Sequence, residues 1–213
     1  MNLNENLHRM AKKEPNTLWA AFKSGKEEAF SQLFFEYYEM LYHYGYRITS
    51  NEALVKDTLQ DFFLHLFESR SKLTNSVDNI AAYLLTSFRR MLIRKLQRQQ
   101  KKEYAIHKIS PDDSFPFELG IEDVIIKKEA GEISKRLVNQ LLEELPPRQR
   151  EIIYLKYYLD LSLPEIASTL SISYQVAANH LYRAINKLRE STTIKKSFLD
   201  IWFFLLLYSL LGC

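Results

Sequence analysis

Asp57, Gln60 and Asp61 recur at helical spacing in Asp57-Thr58-Leu59-Gln60-Asp61-Phe62-Phe63. Two carboxylates and an amide thereby share one helical face, and Leu59, Phe62, Phe63, Leu66 and Phe67 take the other. Paired carboxylates could do general acid–base chemistry. No His or Cys stands at metal-ligand or nucleophile–base spacing from them, His65 reads as a lone surface residue, and no Gly-rich phosphate loop occurs. On residue type alone the face is a solvated surface or, with less support, an acid–base pair. A second set is cationic. Arg89 to Lys102 holds seven basic residues in fourteen and no acidic one. That exceeds what complementing a helix C-terminus requires, and with Tyr83 and Phe88 nearby it suits phosphate contacts and stacking on exposed bases. The third set is Gln175, Val176, Asn179, Tyr182, Arg183, Asn186 and Lys187, a face without a carboxylate until Glu190. Amides and guanidinium groups of this kind read base edges in a major groove while cations meet phosphates.

The third set needs a helix to carry it, and Leu161 to Arg189 spells a helix–turn–helix. Ser162 with Glu165 forms a capping-box pattern, and Leu161 with Ile166 a hydrophobic staple. Pro164 falls in the first turn, where a missing N–H costs nothing. The first helix is expected to end near Leu170, Ser171-Ile172-Ser173 to turn, and Ser173 to cap the second helix. Ala177, Leu181, Ala184, Ile185 and Leu188 make the inner face of that second helix. An ordinary αα-hairpin with a solvated outer face is the alternative.

The first two sets need long helices. Leu18 to Phe22 predicts a short helix stopped by Gly25. Phe30, Leu33, Phe34, Tyr37, Leu41, Tyr44 and Ile48 follow steps of three and four, which predicts a long amphipathic helix with an aromatic core stripe. A helix over about Asn51 to Glu68 carries the carboxylates, and one over about Val77 to Lys102 carries the cations on a backbone of Ile80, Leu84, Phe88, Met91, Leu92 and Leu96. Ser110 to Pro116 and the acidic residues Glu118, Glu122 and Asp123 then form an acidic linker. Period returns at Ile133, Leu137, Leu141 and Leu145, Pro146-Pro147 breaks it, and Arg148 to Leu159 predicts a helix leading into the helix–turn–helix.

Composition agrees. The chain has 213 residues, 46% hydrophobic, with five glycines and net charge +3. Such a chain builds a core, and its periods predict an all-α protein of two helical bundle domains. The only cysteine is Cys213, which excludes an intramolecular disulfide, zinc-finger and iron–sulfur readings and suits a reducing cytoplasm. The N-terminal stretch lacks the apolar core of a signal peptide, so a cytoplasmic location is expected. Phe198 to Cys213 is apolar on every side, shorter than the roughly 20 residues of a membrane span, and preceded by Lys195 and Lys196. Packing on its own domain, contact with a protein partner and a shallow membrane anchor are its three readings, with protein contact favoured.

Taken together, these motifs resemble the extracytoplasmic-function (ECF) sigma factors, the two-domain type of bacterial RNA polymerase initiation factor. The resemblance spans roughly Ala29 to Arg189. Asp57 to Phe67 resembles the family's Asp-x-x-Gln-Glu/Asp-x-Phe core-binding helix, and Tyr83-Leu84 followed by Phe88-Arg89 its promoter-melting segment. Leu142-Glu-Glu-Leu-Pro-Pro147, Glu165-Ile166-Ala167 and Asn179-His180-Leu181-Tyr182-Arg183-Ala184 resemble its second domain. The family usually has Asn where Arg90 stands and Asp near Arg94, so this melting helix is more cationic; Val176-Ala177 stands where Thr-Val is commoner.

The resemblance implies a first domain over 16–103, an acidic linker over 104–130, a second domain over 131–192 and a hydrophobic tail over 197–213. It implies that Asp57, Gln60, Asp61 and Leu64 bind core RNA polymerase at the clamp helices of its largest subunit. Arg89, Arg90, Arg94, Lys95 and Arg98 would hold the minus-ten element, whose flipped bases enter a pocket. Ser173, Gln175, Val176, Asn179, Tyr182, Arg183 and Lys187 would read the minus-thirty-five element, with the second domain docked on the polymerase flap. The linker would thread through the polymerase as a nucleic-acid mimic. Promoter DNA and an anti-sigma factor are the further implied partners; no catalysis, cofactor or metal is implied. The same residues leave two other readings: a stand-alone helix–turn–helix regulator associated with a membrane through its tail, and an enzyme using Asp57 and Asp61.

Overall fold

A computed structural model describes residues 15–103, 116–118 and 140–194. Every regular element among them is helical, and they fall into two compact units. The first is built on residues 15–103, the second on 116–118 and most of 140–194.

The described residues of the first unit form four α-helices, α1 (Pro15–Lys23), α2 (Glu27–Thr49), α3 (Glu52–Glu68) and α4 (Ile80–Glu103), with a 3-10 turn at Arg70–Lys72. Gly25 takes φ 89° between α1 and α2, a left-handed conformation that glycine adopts at no steric cost. Glu27 and Glu28 in the first turn of α2 complement its dipole. Asn51 caps α3 by accepting from the Leu54 N–H at 3.0 Å. Asn79 does the same for Ala82 at 3.1 Å, so α4 begins at Ile80 and not at the expected Val77. Val77 is buried from the loop before the cap.

The core of this unit is where α2, α3 and α4 meet. Leu33, Leu41, Tyr44, Leu59, Leu84 and Phe88 are wholly buried. At Gly45 a Cβ would stand 3.0 Å from Phe88 ring carbons and 3.1 Å from a Val55 methyl, so this glycine permits the close approach of three helices. Trp19 of α1 is also wholly buried, edge-on to Tyr83 at 5.0 Å, with Nε1–H donating to the Thr74 carbonyl at 2.9 Å.

In the second unit, residues 140–143 are helical, and Pro147 opens α5 (Pro147–Ile153) at its first turn. The helix expected from Arg148 to Leu159 is not α-helical throughout. From Tyr154 to Tyr158 it widens into a π-turn, closed by the Leu159 N–H on the Tyr154 carbonyl at 3.1 Å. Then come α6 (Leu163–Leu170) and α7 (Tyr174–Ile194). Leu141, Leu142, Leu145, Ala184 and Leu188 form one apolar cluster, which packs the 140–145 segment on α7. The expected tail and most of the expected linker lie outside the described residues.

Candidate nucleic-acid interface

The helix–turn–helix is built from local hydrogen bonds. Glu165 Oε2 accepts from the Ser162 N–H at 2.7 Å and from Ser162 Oγ at 2.6 Å. Half of the expected capping box therefore forms: the glutamate reaches back, while the serine hydroxyl donates to it and does not bond forward to the helix. Ser171 sits at φ 55° beyond α6, and the Ile172 N–H returns to the Ala167 carbonyl at 3.0 Å. This is a Schellman closure with a serine where glycine is usual. Ser173 Oγ accepts from the Val176 N–H at 3.2 Å and starts α7.

That register turns the polar set of α7 outward. Ser173, Gln175, Val176, Asn179, Tyr182, Arg183 and Lys187 are all exposed, Tyr182 by 67%. Ala177, Ala184 and Leu188 are buried beneath them. Asn186 is half-buried. Lys187 has a second employment: its Nζ donates to the backbone carbonyl of Glu144 and so ties α7 to the 140–145 segment.

In the first unit α3 turns Asp57, Gln60, Asp61 and Leu64 outward, with Leu64 58% exposed. On α4, Arg90, Arg94 and Arg98 form one exposed row at four-residue steps. Arg89 stands apart from that row. It is 7% exposed, because steps of four back and three forward put it with Leu85 and Leu92 on the core face. Phe88 is wholly buried and edge-on to Phe62 at 5.8 Å, so it is core and not a platform for bases. Tyr83 is half-buried against Trp19.

The structure joins two sets that the sequence kept separate. Lys95 Nζ of α4 lies 2.5 Å from Asp57 Oδ2 and 2.6 Å from Asp61 Oδ2 of α3. Burial disfavours the Lys95 ammonium, but its hydrogen bonds to Asp57 and Asp61 outweigh this, and its pKa rises above the ordinary lysine value. Periodicity within one helix carries no signal for such a contact between helices.

An aromatic ridge on α2 was also missed. Phe34, Tyr38, Tyr42 and Tyr46 follow one another in steps of four: Phe34 lies tilted on Tyr38 at 5.1 Å, Tyr38 stacks on Tyr42 at 6.4 Å and Tyr42 on Tyr46 at 6.3 Å. Phe35 beside it is 79% exposed. The four-residue aromatic spacing was the available signal; of the expected core stripe, Leu33, Tyr37, Leu41, Tyr44 and Ile48 are buried on the neighbouring face, while Phe30 and Phe34 are half-buried.

No helix among the described residues is long and apolar enough to cross a membrane.

Comparison with known proteins identifies the assembly. Residues 33–102 match the family model of sigma-70 region 2, and residues 135–188 that of sigma-70 region 4; together they span more than half of the chain. The ECF RNA polymerase sigma factor SigK of Mycobacterium tuberculosis is 21% identical over 169 residues, covering 77% of this chain and 86% of SigK. SigW of Bacillus subtilis, another ECF sigma factor, is 22% identical over 175 residues, covering 79% and 91%. The sigma factor RpoE from Bartonella quintana, solved in complex with the anti-sigma factor NepR, shares the fold with a TM-score of 0.53 at 17% identity, over 79% of this chain and 99% of that one. A carboxylate-bearing helix beside an arginine row, followed in the chain by a helix–turn–helix, thus belongs to the sigma-70 family: the chain is a promoter-recognising transcription initiation factor of the ECF type, and not an enzyme.

Proposed function

We propose that the first unit holds core RNA polymerase through Asp57, Gln60, Asp61 and Leu64 of α3, and the minus-ten element through Arg90, Arg94 and Arg98 of α4. The observation that carries this reading is the arrangement of one small unit. An anionic and amide face with an exposed leucine lies on α3, and an unbroken exposed arginine row lies on α4. Anionic side chains fit a cationic protein surface, and arginines fit a phosphate backbone. Arg89, being buried, supports the row from behind and takes no direct part. Lys95 serves the carboxylates in the free chain.

The second unit places Gln175, Asn179, Tyr182 and Arg183 in the minus-thirty-five major groove, with Ser173 and Val176 at the groove-facing start of α7 and Lys187 at the phosphate edge. On this reading, residues 16–103 and 131–192 are the two promoter-reading domains and 104–130 is the segment between them, of which Phe117 packs on the second unit. An anti-sigma factor is a further partner, since a relative of the same fold was solved in complex with one. The place of action is the cytoplasm, where core polymerase and promoter DNA are found. The segment 197–213 contacts a protein partner.

The test is reconstitution with bacterial core RNA polymerase and mapping of transcript starts on genomic fragments. Discrete starts that share two upstream elements are expected. A specific footprint by the chain alone, with no transcript, would overturn the reading in favour of a stand-alone regulator. Removal of Ser197 to Cys213 is expected to leave the start sites unchanged and to alter partner capture; flotation of the full chain with lipid vesicles would assign the tail to membrane instead.

A further inference from the structure

Phe117 stands between Pro116 and Glu118, inside the stretch that composition marks as an acidic linker. Its ring is nevertheless 1% exposed. It packs at a tilt on Tyr154, with centroids 5.5 Å apart and planes at 58°. Tyr154 in turn stacks on Tyr158 at 4.7 Å and 18°. These two tyrosines are the first and last residues of the π-turn, a conformation found most often at positions with a special task. The second unit thus carries a built receptor for one aromatic side chain, well ahead of the helical run at 140–143.

We propose that Phe117 is a positioning residue that ends the linker: it fastens the chain to the second unit, so that the tether between α4 and the second promoter-reading unit is residues 104–116 and not the whole of 104–130. The proposal rests on the reading that both units act on one promoter.

Covalent geometry turns this into a length. Fourteen Cα steps lead from Glu103 to Phe117 and cap their separation at about 50 Å. Twenty-eight steps lead from Glu103 to Gly131 and would permit about 100 Å. One turn of B-DNA is about 35 Å. The shorter tether is exhausted within about one and a half turns, the longer one only near three. Only the fastened chain is short enough to restrict how far apart two elements on one duplex can be read. Phe117 therefore acts on spacer selectivity without touching DNA.

The experiment uses the full chain with core polymerase, on promoters whose two elements are moved apart in single base-pair steps. A short Gly-Ser insertion after Ser110 is expected to shift the yield profile toward longer spacers at least twofold. The same insertion after Glu122, beyond the anchor, is expected to leave the profile of the unaltered chain. Phe117→Ala is expected to reproduce the broadened profile, and Phe117→Tyr to restore it. A loss of stability alone scales every yield together and leaves the shape of the profile unchanged. Identical profiles from the two insertions would overturn the proposal. The free chain provides an independent arm: chymotrypsin is expected to cleave after Phe117 at least tenfold more slowly in the intact chain than in a synthetic peptide of residues 110–124, and equal rates would overturn the anchor. If the unaltered chain directs no promoter-dependent transcript, the underlying reading fails, and the cleavage rate still decides the anchor.

Discussion

Lys95 reaches from α4 to Asp61 of α3, Nζ to Oδ2 at 2.6 Å, and holds Asp57 with the same ammonium at 2.5 Å. Both carboxylates are more than half exposed, so they remain open to a cationic partner while sharing one internal cation. Replacing Asp57 and Gln60 with Ala is expected to weaken core polymerase binding about tenfold and to leave the helical circular dichroism unchanged. Equal retention on polymerase would count against the α3 face. Lys95→Met removes the internal competitor and leaves the carboxylates. It is expected to keep or raise polymerase affinity, with a steeper loss of affinity as salt is added.

Alkaline pH tests the interior of the first unit. Tyr37 is pushed up to about 12, by burial first and by the nearby Glu36 second. Lys95 is raised too, its bonds to Asp57 and Asp61 outweighing burial. A group whose folded pKa is raised holds its proton more tightly in the folded chain. The stability it contributes is full below the unfolded value, near 10 for both types, and is lost as pH rises through the folded value. Denaturant midpoints are expected to fall between about pH 10 and pH 12, with Tyr37 contributing roughly 1.4 kcal/mol per pH unit. Tyr37→Phe should flatten that fall, and an unchanged slope would show that the phenol is not the group involved.

The arginine row predicts a salt dependence. Replacing Arg90, Arg94 or Arg98 with Ala in the holoenzyme is expected to lower affinity for the minus-ten strand. The slope of log affinity against log salt should fall by about 0.7 for each phosphate no longer neutralised. Arg89→Ala is expected to lower thermal stability and to leave that slope as it was, because its side chain is buried with Leu85 and Leu92.

On α7, Asn179→Ala and Arg183→Ala are expected to cost about tenfold in discrimination between the preferred minus-thirty-five sequence and single-base variants. Ser173→Ala removes the bond to the Val176 N–H. It is expected to cost about 1 kcal/mol of stability while the preferred sequence stays the same. A shift in preferred bases from Ser173→Ala would show that the serine is a reader as well as a cap.

Gly45→Ala is expected to destabilise the first unit by about 1–3 kcal/mol, since the added methyl would stand 3.0 Å from Phe88 and 3.1 Å from Val55. Phe88→Leu in the same chain should recover part of the loss. Thermal melts of the single and double variants measure both.

Much of this was readable in the residues. Steps of three and four marked α2, α3, α4 and α7, because each helix buries one face against the others. The serine before α7 and the glutamate of α6 announced the turn between them. What escaped was set by tertiary contact. Arg89 sits in a run so cationic that its shared phase with Leu85 and Leu92 was masked. Phe88 reads both as part of the apolar side of α4 and as an aromatic beside the cations, and its place opposite Gly45 keeps only the first. The π-turn uses the same residue types as an α-helix, and its widening coincides with the packing of Phe117 on Tyr154. Phe117 itself is one apolar residue among prolines and carboxylates, where no period exists to betray its burial.

Trp19, sealed against Tyr83 and bonded to the Thr74 carbonyl, gives the molecule an optical division of labour. The chain has two tryptophans, Trp19 and Trp202. In a Trp202→Phe chain all indole emission comes from the base of the four-helix unit, while the helix–turn–helix unit is dark. A red shift during a titration would then report the opening of one half of the protein, with no label attached and no signal from the other.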